Sequence, residues 1–161
     1  MDDDEKEEKK NKKKKSHNSD SSDSGDRRRV SEVKLLPFPK IGQLPAWQAA
    51  LRTACADAAY VLDESEIIVW LKQAELDTTT FEDLRQSGKK FIQLDRRLAH
   101  ALKKICQASK EATELMRAIT TKSQNENGDN FLIKGRQIYW MMIRHYQTNP
   151  KLKLACGIKH L

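Results

Sequence analysis

FIQLDRRLAHALKKICQASKEATELMRAI, residues 91–119, is the stretch on which the fold turns. Phe91, Leu94, Leu98, Ala101, Ile105, Ala108, Ala112, Leu115 and Ile119 follow one another at alternating steps of three and four. Such spacing lays the apolar side chains along one stripe of an α-helix. It predicts one long helix, or two collinear helices that break near Ser109. Arg96, Lys103, Lys110 and Arg117 fall opposite the stripe. That face is either solvated surface or a basic ridge that meets nucleic-acid phosphates. Three alanines on the stripe suit close packing inside a bundle better than a two-stranded coiled coil.

Downstream, Asn125–Asn130 reads as a loop by composition. A last helix runs from about Leu132 to Tyr146. Its run Ile138-Tyr139-Trp140-Met141-Met142-Ile143 is apolar most of the way round. Such a helix is central to a core or sits at a subunit interface, so Ile138, Trp140, Met141 and Met142 are the self-association candidates. Gly135 serves either a close backbone approach or a kink or packing contact. Pro150 and Gly157 end the helix.

Upstream, Leu35-Leu36-Pro37-Phe38-Pro39 cannot be helical and reads as an extended arm packed on the domain. Pro45 suits the first helical position. Trp47, Ala50, Leu51, Ala54, Cys55 and Ala58 then give an amphipathic helix to about Val61. Asp63 and Glu66 form a capping-box signal for a second helix. Ile67, Ile68, Trp70, Leu71 and Ala74 are its apolar face. Thr80 begins a short helix that Gly88 stops. The expected class is all-α, a bundle of about five helices preceded by a disordered charged tail.

The tail is visible in counts. Of 161 residues, the first 34 hold only three apolar side chains, Met1, Val30 and Val33. Residues 1–34 therefore read as the disordered tail and residues 35–161 as one helical domain. This division excludes a multidomain enzyme. The longest apolar run is six residues, far below the roughly 20 of a spanning helix, so no membrane partner is expected. Met1-Asp2-Asp3-Asp4-Glu5 has no apolar core of a secretory signal, and a cytoplasmic location is expected. The Lys9–Lys15 and Arg27–Arg29 clusters add nuclear import as an alternative. Lys12, Lys13, Lys14 and Lys15 are also candidate RNA contacts. Arg28-Arg29-Val30-Ser31 suits a kinase that reads arginines before serine. Cys55, Cys106 and Cys156 are odd in number and widely spaced, which fits reduced, mostly buried thiols.

The net charge of +7 is unevenly spread. Residues 35–84 carry three basic and eight acidic side chains, whereas residues 85–161 carry sixteen basic and five acidic. This asymmetry points to a polyanion-binding face or to head-to-tail self-association, the alternative being a soluble domain with a basic surface. Lys134, Arg136 and Arg144 join the ridge residues as candidate nucleic-acid contacts. Catalytic signals do not assemble. His17, His100, His145 and His160 are isolated, and Asp23-Ser24-Gly25 lacks the apolar strands an aspartic-protease triplet needs. Cys156 and His160 make half a zinc site without a second pair. Glycines do not cluster into a phosphate loop. No catalytic residue, metal, cofactor or small-molecule substrate is expected.

Phe131-Leu132-Ile133-Lys134-Gly135-Arg136-Gln137-Ile138-Tyr139-Trp140-Met141-Met142, then His145-Tyr146 and Thr148-Asn149, resembles a stretch of the Gag-like regions of Ty1/copia-type retrotransposon polyproteins found in unicellular algae. Leu36-Pro37-Phe38-Pro39 with Trp47, Thr80-Phe81-Glu82-Asp83-Leu84, Leu94-Asp95-Arg96-Arg97-Leu98-Ala99 and Gly157-Ile158-Lys159-His160-Leu161 are similar in order. The resemblance spans about residues 35–161. It implies an α-helical, non-enzymatic Gag or capsid-like module that self-associates and contacts RNA. It also implies the front part of a longer polyprotein, as a fragment or decayed copy, since no zinc knuckle or protease segment is present. The alternative is a nuclear nucleic-acid-associated regulatory protein or an interaction scaffold.

Overall fold

A computed structural model describes residues 29–40 and 42–148. Lys12–Lys15, the arginine run before Arg29 and the Cys156–His160 pair lie outside the described residues. Five α-helices make up the described part: α1 Leu44–Ala58, α2 Glu64–Lys72, α3 Ile92–Gln107, α4 Thr113–Gly128 and α5 Gly135–Thr148. Among the described residues there is no strand, and no helix is long and apolar enough to cross a membrane.

Apolar periodicity translates directly into burial along α1 and α2. Trp47, Leu51, Cys55 and Ala58 of α1 turn inward, as do Ile67, Trp70 and Leu71 of α2. α1 ends at Ala58, and the three residues to Val61 form a turn that leaves Tyr60 exposed. The capping box expected at Asp63 does not form. The Asp63 carboxylate accepts from Ser65 Oγ at 2.8 Å instead, and Glu66 pairs with Lys90 at 2.8 Å. Thr80 and Asp83 do form a reciprocal cap, with Thr80 N–H on Asp83 Oδ2 at 2.9 Å and Asp83 N–H on Thr80 Oγ1 at 3.2 Å. It holds only a 3-10 turn, Glu82–Leu84, rather than a short α-helix.

The folded unit begins earlier than Leu35. Val30 and Val33 are 3% and 2% exposed and belong to the core. Val30 N–H donates to Gln93 Oε1 at 2.9 Å, and Ser31 N–H to the Ala58 carbonyl at 2.9 Å. Two valines in a charged context suffice to seat this arm, because each finds a waiting apolar site.

The long periodic stretch is broken at Ser109, whose backbone is extended (φ −117°, ψ 127°). The two halves are not collinear. α4 folds back along α3, so that Ser123 and Asn127 of α4 share a hollow with Arg96, His100 and Lys103 of α3. Each half presents its stripe to the common core, which a collinear pair could not do. α4 also runs through the asparagine-rich stretch read as a loop. Buried Glu126 explains this, since its carboxylate takes two hydrogen bonds from Arg85, at 2.6 and 3.0 Å, and one from Gln137 at 3.2 Å. Asn130, at φ 68°, then turns the chain.

α5 fills the centre, and its most extensive contact is with α3. Ile138, Tyr139 and Met142 are wholly buried, as are Leu94, Leu98 and Leu102 opposite. A Cβ on Gly135 would lie 2.6 Å from Leu98 Cβ, 2.7 Å from the Asp95 carbonyl oxygen and 2.8 Å from Ala99 N. Gly135 is thus a close backbone packing contact between α5 and α3. This centre corrects the self-association reading. Ile138, Met141 and Met142 are buried within one chain. Trp140 is partly buried, donates from Nε1 to the Thr79 carbonyl at 2.9 Å and stands edge-on to Phe81. The apolar run circles the helix because the helix is enclosed by its own chain.

Candidate nucleic-acid interface

The cations of the basic half fall into two groups. The first is consumed inside the fold. Arg136 is 3% exposed, and its guanidinium donates to the carbonyls of Trp70 and Gln86 and to Gln73 Oε1, at 2.6 to 3.1 Å. It also lies 4.7 Å from the Trp70 ring centroid. Its backbone N–H donates to the buried Asp95 carboxylate at 2.9 Å, and Ser87 Oγ donates to the same group at 2.7 Å. Burial pushes the Asp95 carboxyl above its ordinary value, and these two hydrogen bonds pull it back. Gln137 completes the lock, taking Lys134 N–H on its oxygen at 2.8 Å and giving its amide to the Phe81 carbonyl at 3.2 Å. The Lys134–Gln137 string is therefore structural at its last three positions, and Arg136 is not a nucleic-acid contact. The α5 start sits beside the end of α2 and the 73–86 segment, where a buried guanidinium with several N–H donors can serve acceptors from Trp70, Gln73 and Gln86 at once.

Arg144 is in an intermediate position. It stacks 4.9 Å from the Trp140 centroid and reaches the carbonyls of Leu76, Asp77 and Thr79 at 3.3 to 3.4 Å, with its side chain 25% exposed. It ties α5 to the 76–79 turn.

The second group faces solvent together. Arg96 and Lys103 of α3 and Lys134, some thirty residues further on, line one hollow of about 720 Å3 with His100 and Phe131. A second hollow of about 400 Å3 adjoins it, lined by Arg85, Lys89, Arg96 and Lys134 among others. Among the described residues, neither lining includes an acidic side chain. The fold creates this concentration: α3 supplies Arg96 and Lys103 at a spacing of two turns, and the 130–134 turn brings Lys134 alongside. Burial holds the Lys134 ammonium below its ordinary value, and the Arg96 and Arg85 guanidiniums push the same way against Asp95 and Glu126.

No protein-family model, curated protein or solved structure matches the chain.

The remaining ridge candidates lie elsewhere. Lys110 lines a different hollow near the α3–α4 turn, together with Glu32 and Glu111. Arg117 is exposed on α4 near the same turn, beside Gln107. Folding α4 back divides the four-residue ridge into two pairs. Sequence reading missed Phe131, Arg85 and Lys89 as neighbours of the cationic hollows. Phe131 was legible only as part of a matching string. Its place at the hollow depends on the turn at Asn130, which composition does not reveal. Cys55 and Cys106 are buried free thiols, and burial pushes both up to about 12.

Proposed function

We propose that this chain is a non-enzymatic, Gag-like helical module that contacts RNA through the paired hollows and associates with further copies of itself. The observation that carries the RNA part is the convergence of Arg96, Lys103 and Lys134 on a concave surface with no acidic lining among the described residues. Cations held that way attract phosphates and release counterions when phosphates bind. The string resemblance from Phe131 to Met142 supports the Gag-like part, since its residues are ones the fold uses rather than surface decoration. In this reading self-association runs through the charge asymmetry of the acidic and basic halves, because the last helix is enclosed. Full-length protein titrated with labelled RNA at rising salt tests the contact. Affinity falls steeply with salt if the reading is right, and affinity independent of salt overturns it. A strict monomer in sedimentation at low salt, with and without RNA, overturns the assembly part.

A second reading is favoured by the Lys9–Lys15 and Arg27–Arg29 clusters: a nuclear, DNA-associated regulatory protein. It requires tighter binding to duplex DNA than to RNA, and a nuclear signal lost on deletion of residues 9–29.

A further inference from the structure

Arg96, Phe131 and Lys134 line both hollows, so the two meet along a ridge built from these three side chains. The wider hollow also presents Ser123, Asn127 and Asn130, whose hydroxyl and amide groups donate and accept hydrogen bonds. Each hollow falls in the roughly 300–1,000 Å3 range of sites that hold small organic groups. Phe131 is half-buried, and the Arg85 guanidinium lies 4.4 Å from its ring centroid, with Lys134 Nζ at 5.7 Å. Arg85 is fixed there by Glu126, so ring and guanidinium form a ready pair of flat surfaces. An aromatic ring at the junction of two cationic hollows is more than phosphate binding requires.

We infer that a single-stranded nucleic acid crosses this ridge, with one unpaired base in each hollow. Its phosphates rest on Arg96, Lys103 and Lys134. Phe131 and Arg85 offer the surfaces on which the bases stack, and Asn127 and Asn130 face the base edge in the wider hollow. The inference rests on the nucleic-acid reading above and names the form of the ligand. A duplex presents its phosphates and groove edges but no free base face, because its bases are stacked and paired with each other. Base–aromatic stacking is tolerant of sequence, so selectivity is for unpaired over paired strands. RNA and DNA single strands share this chemistry.

The test uses the full chain and three labelled probes: a 12-nucleotide oligo-uridine, the matching oligo-deoxythymidine and a 12-base-pair duplex. Fluorescence anisotropy reads affinity across a salt series. Both single strands are expected to bind about tenfold more tightly than the duplex. Phe131→Leu keeps an apolar side chain under Arg85, and circular dichroism checks its helix content. It is expected to weaken single-strand binding about tenfold, with the salt slope and duplex affinity unchanged. Arg96→Gln is expected to reduce the single-strand slope by about 0.7. Cross-linking by 5-bromouridine, mapped by mass spectrometry, separates the hollows from the lysine-rich segment at 9–15. Duplex binding as tight as single-strand binding, or a folded Phe131→Leu that binds like the parent, overturns the inference and leaves the phosphate reading standing. Loss of binding to all three probes overturns both. Cross-links confined to residues before 29 overturn the site.

Discussion

Arg136 and Arg96 lie in the same basic half, 40 positions apart, and the fold treats them in opposite ways. Arg136 enters the core, and its two terminal nitrogens donate to Trp70, Gln73 and Gln86. Arg96 is exposed where two hollows meet, and no carboxylate of the described residues lines the wall. Charge alone does not distinguish them. What does is burial: Arg136 is enclosed among acceptors, whereas Arg96 is exposed. A cation buried among acceptors becomes part of the architecture, and an exposed one remains available to a ligand.

The sharpest way to break this contrast is to exchange the expected effects. Arg136→Leu is expected to cost about 4 kcal/mol in chemical unfolding, because the Trp70 and Gln86 carbonyls and Gln73 Oε1 lose their buried donor and Asp95 loses a nearby cation. A loss below 1 kcal/mol would mean that the buried guanidinium is dispensable. Gly135→Ala is expected to cost about 3 kcal/mol, since two of the three atoms its Cβ would meet belong to the α3 backbone and cannot rotate away. Glu126 gives a pH test. Its carboxyl is held below its ordinary value first by the Arg85 hydrogen bond and then by Gln137, against burial. A depressed carboxyl contributes stability that is present above its unfolded value, near 4.5, and lost as pH falls through the folded one. Thermal midpoints of the parent are thus expected to drop below about pH 4.5, and Glu126→Gln to be less stable at pH 7 with a shallower acid limb. Equal acid limbs would remove Glu126 from the account. Smallest in stability is Lys103→Gln, which is expected to change unfolding by less than about 0.5 kcal/mol. Its effect belongs instead to the salt slope of RNA binding.

The helical class was legible because burial in α1, α2 and α3 follows a period that residue type reports directly. Leu94, Leu98 and Ala101 need no partner's identity to be recognised as core. The chain reversal at Ser109 was half legible: the break shows in sequence, but its direction depends on which core the second stripe finds. Val30 and Val33 were hidden by their charged neighbours, since two side chains do not raise local hydropathy. The helix through Asn125–Asn127 was hidden for the opposite reason. A long-range pair, Arg85 with Glu126, outweighs the poor helix propensity of the segment. The candidate site was legible only as a surplus of positive charge. Arg96, Lys103 and Lys134 meet because of tertiary packing, and Arg136 leaves the group for the same reason.

The central place of α5 has a consequence for the order in which this protein becomes itself. Of the described elements, the helix that closes the core is the last to leave the ribosome. Domains synthesised at about 5–20 residues per second expose incomplete cores for seconds. Until Tyr146 has emerged, α1 to α4 surround a space that only α5 can fill. A nascent chain stalled near residue 134 is then a substrate for chaperones and proteases rather than a smaller version of the same protein. A fragment covering 1–134 is expected to bind a dye specific for exposed apolar surface, and the addition of α5 to abolish that binding.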